Sequence, residues 1–235
     1  MSRLARLPRW ASHWLGYRPE TPKPLPQYQV ALWSFIIAFG GLSVIQAIFN
    51  YSTYFKDRHV PGIVASYVSG KKPHLHLHWA NDSPNQGASA VLVFGAIESP
   101  LAQPRALIFG HFFSALIGVC ITKLFSLMPE ARFESLRWLA ASLSTAIAIV
   151  VMQFTGTTHP PAGATALLPA NNQEIWELSW YYLPVVLLSS ALLLVCALLL
   201  NNLQRRYPVF WIAPAPPKPA PVVVKEAEGE GKSSV

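Results

Sequence analysis

The chain has 235 residues, 52% of them hydrophobic and only 12% charged, with a mean hydropathy of +0.32. A soluble domain carries about twice that charged fraction, and the apolar residues here fall into long runs. The composition therefore excludes a soluble globular protein and points to an all-α, polytopic membrane helix bundle, one compact domain with short tails. The net charge of +7 gives no case for nucleic acid as a partner, because most basic residues flank apolar runs, where lipid headgroups and topology account for them.

Residues 1–27 form a basic N-terminal segment. Arg3, Arg6, Arg9 and Arg18 alternate with Leu4, Leu7, Trp10 and Trp14, and no acid precedes Glu20. Such a start fits a mitochondrial transit peptide or an interfacial helix, and equally a tail that obeys the positive-inside rule. It is not a secretory signal, since no apolar core follows the first arginines. The transmembrane domain is expected over 28–207, and the proline-rich, then Glu/Gly/Lys-rich tail 208–235 is expected to be disordered.

Four runs are long enough to cross a hydrocarbon core of about 30 Å: Val30 to Phe49, Ala106 to Leu124, Trp138 to about Phe154, and Tyr181 to Leu200. Gly40 and Gly41 permit close packing in the first, and Lys123 snorkels from the end of the second. Cys120 and Cys196 each lie inside an apolar run. They read as small buried hydrophobes, not as a disulfide or metal site.

Two stretches between the spans do not fit a smooth helix. Thr157-Thr158-His159-Pro160-Pro161-Ala162-Gly163 follows the third span, and its prolines demand a break with a fresh half-helix starting at them. Broken backbone at membrane depth is tolerated only inside protein or beside a water-filled cavity. A matching half-helix is expected from Val60-Pro61-Gly62 through Ser66, resuming at Gly87-Ala88-Ser89. An ungapped offset of 76 (163 − 87) lays Gly87-Ala88-Ser89-Ala90-Val91-Leu92 on Gly163-Ala164-Thr165-Ala166-Leu167-Leu168, and Val119-Cys120 on Val195-Cys196. The chain then reads as two copies of span, broken half-helix, span, and interrupted segments at matching places mark transporter sites. The alternative is two unrelated hairpins of similar composition. Four full spans put the N-terminus, the loop from Lys123 to Arg137, and Arg205-Arg206 on one face, with both half-helices re-entrant from the other.

These motifs resemble the HPP family of integral membrane proteins, whose signature is matched by Thr158-His159-Pro160-Pro161-Ala162-Gly163-Ala164-Thr165-Ala166. Ile63-Val64-Ala65-Ser66, Gly87 to Leu92, and Ser99-Pro100-Leu101-Ala102-Gln103-Pro104-Arg105 are also similar to family motifs, over about residues 28–205. The resemblance implies four transmembrane helices and, from plant members, an association with nitrite transport at the plastid envelope. The chain departs from the family pattern by the 19 residues from Val68 to Gln86. These are expected to be translated intron, since Val68-Ser69 is encodable as GTGAGT and Gln86 as CAG; a main transcript retaining those codons would refute this. The competing reading takes His74, His76 and His78 as one face of a strand that binds a metal, but no Cys or spaced carboxylate completes it.

The site expected from this reading is a pair of half-helix N-termini, near Pro160-Pro161 and near Ser66/Gly87, aimed at one small anion. Gly87 and Gly163 allow close approach. Thr157, Thr158, Ser66 and Ser89 cap or line the path, and His159 carries or relays a proton. Arg105 draws or coordinates an oxyanion, and His111 faces the bundle interior. Each has a plain structural alternative: a helix cap for His159, an interface anchor for Arg105, a packing role for His111. The expected function is a transporter or channel-like carrier of a small inorganic anion such as nitrite. A membrane scaffold is the second reading and an intramembrane enzyme using His159 the third. No cofactor, catalytic residue or metal ligand is assigned; the expected partners are the bilayer, the anion and, because the bundle is thin, further copies of the chain. A multi-pass placement in a membrane is expected without the organelle being fixed, and the basic start fits the mitochondrial inner membrane as one option.

Overall fold

The computed structural model describes residues 4–18, 25–52 and 85–213. The half-helix expected through Ser66, and most of the Val68 to Gln86 stretch with its three histidines, lie outside the described residues. Among the described residues the chain is entirely helical. After a short amphipathic helix α1 (Arg9–Trp14) comes α2 (Gln27–Tyr51). Then follow α3 (Asn85–Ala90), which widens into a π-turn over Val91–Gly95, α4 (Pro104–Phe125) and α5 (Glu130–Thr155). Last come α6 (Pro160–Asn171), α7 (Gln173–Leu178) and α8 (Tyr182–Asn201). Four segments are long and apolar enough to cross a membrane: Gln27–Phe49, Pro104–Phe125, Glu130–Thr155 and Gln173–Asn201. These are the four expected spans with longer ends. The charged turns of Glu130 to Arg137 join α5 because hydropathy marks where lipid begins, not where a helix stops.

Hydrogen bonds between helix ends fix the direction of each span. Arg205, just past α8, donates to Ser34 near the start of α2 and to the Phe94 carbonyl. Tyr207 donates to the Ala102 carbonyl, and Arg105 at the start of α4 donates to Thr155 and Ile212. The beginnings of α2 and α4 and the ends of α5 and α8 therefore share one end of the bundle. At the other end Arg137 of α5 donates to Ala170 at the end of α6, and Lys123 lies 5.4 Å from the Trp176 ring. Thus α2 and α4 run one way, α5 and α8 the other. The chain must cross between α2 and α4, and again between α5 and α8. The second crossing is α6 itself; the described part of the first is α3 and its π-turn.

This corrects the expected topology. Helix α6 is not re-entrant: it runs from the loop after α5 to the opposite end of the bundle. The Lys123 to Arg137 loop accordingly lies at the end away from Arg205-Arg206. A helix of 12 residues (α6) spans only about 18 Å, so hydropathy over a full-length window misses it. It crosses because the site loop before it sits about two turns below the bundle end.

Small residues let α6 in. Gly110, Ser114, Gly118 and Thr122 recur every four residues down α4 and are all buried. Such a stripe lets backbones approach to van der Waals contact. At Gly118 an added Cβ would strike the Ala166 carbonyl, and at Gly110 it would lie 2.8 Å from the His159 Cβ and 2.9 Å from the Thr157 carbonyl. Of the glycine pair in α2 only Gly41 is used: the tip of Phe94 would lie 2.7 Å from a Cβ there, while Gly40 faces open space.

The basic N-terminal segment and the stretch after α8 are tied together. His13 hydrogen-bonds the Asn202 carbonyl, Arg18 donates to the Asn202 and Arg205 carbonyls, Arg206 donates to Gly16, and Trp211 donates to Leu15. Burial, then the nearby Arg206 charge, lower the Arg18 pKa below its ordinary value. The segment expected to begin disordered at Pro208 is packed as far as Ile212. The buried Gln103 side chain is the hook: it donates to Ile97 and Ser99 and accepts from the Val209 and Phe210 amides. Tyr207 is fully buried, and burial pushes its phenol above the usual range, which keeps it a donor to Ala102.

Candidate functional site

The His-Pro-Pro loop is built by its two neighbouring helix ends. Helix α5 stops at Gly156, whose φ of +61° is the left-handed cap. Its amide bonds Gln153 and the Thr157 amide bonds Met152, the two cross-bonds of a Schellman motif. The Arg105 guanidinium sits on the Thr155 carbonyl at the negative end of α5. His159 is then forced extended, as any residue before proline is (φ −137°, ψ 98°). Pro160 and Pro161 open α6, where a first-turn N–H has no helical partner to lose.

Inside α6 a third proline, Pro169, has no N–H for the Thr165 carbonyl four residues back. The Tyr182 hydroxyl of α8 fills that vacancy at 3.0 Å. This is the satisfaction that broken backbone requires at membrane depth.

Four side chains from three helices and the loop meet beside this break. Ser89 Oγ lies 3.1 Å from His111 Nε2 and 3.1 Å from His159 Nε2. His111 Nδ1 lies 2.8 Å from Thr165 Oγ1, and His159 Nδ1 2.8 Å from the Leu101 carbonyl. The two imidazole centroids are 4.9 Å apart, edge to face. Ser89, His111 and His159 are fully buried and Thr165 is 3% exposed. His111 is seven residues into α4, so the cluster sits about 10 Å along its axis.

Satisfying every group assigns the hydrogens. The Leu101 carbonyl only accepts, so His159 carries its proton on Nδ1 and offers Nε2 as an acceptor. Ser89 has one hydroxyl hydrogen, and it goes there. Ser89 must then accept from His111 Nε2–H, which leaves His111 Nδ1 to accept from the Thr165 hydroxyl. With two neutral rings this is the assignment that leaves no group unpaired. It makes one directed chain: Thr165 to His111 to Ser89 to His159 to Leu101.

The expected site residues divide accordingly. Ser89, His111 and His159 come together. Pro160 and Pro161 set the loop beside them, and Gly163 is buried against Thr145 of α5. Thr157 is buried but turned to Thr155, 2.7 Å away between hydroxyls; Thr158 is exposed. Gly87 lies in α3, two residues before Ser89, and Ser66 lies outside the described residues. Arg105 is committed to the Thr155 and Ile212 carbonyls instead of to the histidines. Thr165, Tyr182 and Leu101 were not singled out from the sequence. Thr165 was within reach, because the offset of 76 sets it on Ser89, and the two hydroxyls occupy the two nitrogens of the same imidazole. Among the described residues no trio of His, Cys, Asp or Glu is placed to hold a metal ion.

Comparison with known proteins is consistent in one direction. The family model of the HPP transmembrane region matches residues 76–208. Two curated relatives come from Dictyostelium discoideum, and both are named only as transmembrane proteins. One is 34% identical over 201 residues, covering 84% of this chain and 61% of the relative. The other is 45% identical over 127 residues, covering 53% of this chain and 39% of the relative. The chain thus spans less than two thirds of either relative. No solved structure matches it significantly.

Proposed function

The chain belongs to the HPP family of multi-pass membrane proteins, and from that premise we propose that it carries a small inorganic anion such as nitrite across its membrane. The observation that carries this reading is the buried Ser89–His111–His159–Thr165 cluster, supplied by two interrupted helices and the spans around them. A polar cluster buried in a membrane bundle is costly and marks a substrate or proton pathway more often than a packing device.

We further read the molecule as an inverted repeat. The triplet α2, α3, α4 and the triplet α5, α6, α8 run in opposite directions, each with a broken helix in the middle. Ser89 and Thr165 are equivalent under the offset and grip one imidazole from either side. Inverted triplets with broken helices at the midplane are an architecture of alternating access. The end bearing Arg6, Arg9, Arg18, Arg105, Arg205 and Arg206 carries more Lys and Arg than the described part of the other end, with Lys123, Arg132 and Arg137. By the positive-inside rule it faces cytoplasm or matrix, and the basic start suits a mitochondrial inner membrane.

A second reading has its own observation. Ser89 Oγ within reach of His159 Nε2, with His159 Nδ1 held by a carbonyl, has the outline of a nucleophile and its base. Ser89 is, however, shared with a second imidazole and wholly buried. The two readings separate in one preparation. Purified protein in liposomes takes up nitrite above empty vesicles and loses that uptake in His159→Ala with folding intact. A fluorophosphonate probe leaves Ser89 unlabelled. No solute flux together with Ser89 labelling would replace transport by hydrolysis.

A further inference from the structure

Resting on the proposed anion transport, we infer that one proton travels with each anion, carried by the His111–Ser89–His159 unit, so that the transport is electroneutral.

The hydrogen-bond chain is built for zero or one added proton. In the neutral chain every donor has an acceptor. Suppose a proton reaches Thr165, the end of the chain opposite Leu101. Thr165 passes its hydroxyl hydrogen to His111 Nδ1 and keeps the incoming one. His111 now holds hydrogens on both nitrogens, donating to Thr165 and to Ser89, and only the Thr165 hydroxyl hydrogen turns away from the chain. If the charge moves on, His111 Nε2 gives its hydrogen to Ser89 and Ser89 gives its own to His159 Nε2. His159 is then the cation, donating to Ser89 and Leu101, while Ser89 donates to the vacated His111 Nε2. The Thr165–His111, His111–Ser89 and Ser89–His159 contacts are reused with their direction reversed, and the His159–Leu101 bond keeps its own. No heavy atom has to move, and the positive charge can rest on either ring.

A second proton has no such place. Both rings would donate to Ser89, the Ser89 hydrogen would have no acceptor, and two cations would lie with centroids 4.9 Å apart. The stoichiometry is therefore one. This arrangement also answers what a bound anion would pair with. The described elements packed around the cluster supply no other charge to it. Helices α3 and α6 carry no titratable side chain among residues 85–95 and 160–171, and Tyr182 of α8 is used on Thr165. On α4, Arg105 is used on carbonyls and Lys123 lies at the far end over Trp176. On α5 the charges Glu130, Arg132, Glu134 and Arg137 are at that same far end. Exposed Glu98 precedes the Pro100 turn. A burial site without a fixed counter-charge favours an anion only with a proton beside it.

The test uses the whole protein in liposomes at a pH where nitrous acid leak is low, with nitrite as the probe, a pH dye inside, and the membrane potential clamped by potassium and valinomycin. An inward proton gradient at zero potential should concentrate nitrite, with one proton entering per nitrite and no response to an imposed potential. Nitrite uptake driven by an inside-positive potential, without proton entry, would overturn the coupling and leave anion transport standing. No nitrite movement under either gradient would overturn both. Ser89→Ala should lower proton-driven accumulation about tenfold or more, the loss expected when a hydrogen bond to a charged group goes. Ser89→Thr, which keeps the hydroxyl, should restore it. If the alanine and threonine variants of equal melting temperature accumulate nitrite alike, Ser89 does not link the two rings and the inference fails.

Discussion

Gly110→Ala is the substitution that most directly strains the His-Pro-Pro loop without touching it chemically. The new Cβ would lie 2.8 Å from the His159 Cβ and 2.9 Å from the Thr157 carbonyl, where ordinary contact begins at 3.4 Å. The loop must retreat by about 0.6 Å, the difference 3.4 − 2.8, and neither neighbour is a flexible side-chain tip. Taken along the Ser89–His159 contact of 3.1 Å, that retreat gives about 3.7 Å, beyond hydrogen-bond range. Overpacking of this kind costs about 1–3 kcal/mol, and the Gly-to-Ala helix preference returns about 1 kcal/mol. Gly40→Ala is the matched control, since a Cβ there meets nothing within 4 Å and only the helix preference acts. The two variants should therefore differ by about 1–3 kcal/mol, or roughly 2–12 °C in melting temperature for a chain of this size. Thermal unfolding in detergent followed by size-exclusion fluorescence measures this, and nitrite flux in liposomes should fall in Gly110→Ala alone. Equal melting shifts in the two variants, or full flux in Gly110→Ala, would refute the close packing of loop on α4.

Three other outcomes follow from the same geometry. Tyr182→Phe should leave the Thr165 carbonyl unpaired at a cost of about 1–3 kcal/mol; Pro169→Ala supplies the missing N–H, so the double variant should melt well above the sum of the single effects, and strict additivity would count against the bond. Arg105→Lys should lower the melting temperature, because one ammonium cannot serve both the Thr155 and Ile212 carbonyls in the way a guanidinium fork does, while leaving the half-saturating nitrite concentration near its original value; a tenfold rise of that concentration (about 1.4 kcal/mol) at unchanged stability would return Arg105 to the anion. With Cys120 and Cys196 replaced by serine and alanine, single cysteines at Leu127 and Leu203 should be labelled by an impermeant maleimide from opposite sides of the membrane, and labelling of both from one side would restore the arrangement with re-entrant half-helices.

Much of the bundle was legible because lipid imposes a simple code. An apolar run of span length has few alternatives, and all four long helices were placed from it. The proline pair at 160–161 made the break visible for an equally local reason, a missing N–H, whereas the left-handed Gly156 that ends α5 was not singled out. What local rules cannot carry is direction. A 12-residue helix is too short to register as a span, so α6 was read as turning back when it goes through. That misreading moved Lys123, Arg132 and Arg137 to the wrong end. Charge asymmetry gave no protection, since it survives either topology in weakened form. Arg105 was left between an oxyanion and an interface anchor for a related reason: its chemistry also fits a helix carboxyl end, and only the position of Thr155 beside it shows that partner.

The cluster itself shows where sequence reasoning stopped one step short. The repeat offset had already set Ser89 on Thr165, and His111 had been marked as an inward-facing imidazole in a span. Nothing in the chain's linear order says that the two hydroxyls flank that ring, because α3 and α6 reach it from opposite directions. Yet an imidazole has two nitrogens on opposite edges, and in a low-dielectric interior both need partners. A histidine in a span between two repeat-equivalent broken helices is thus best satisfied by the same position of each. The symmetry is then broken by His159, which only the second repeat supplies: the offset of 76 sets Ser83 on it, or Val64 once Val68 to Gln86 is set aside. That asymmetry is what gives the hydrogen-bond chain an end at Leu101 and hence a direction, and a chain with a direction is what a carried proton requires.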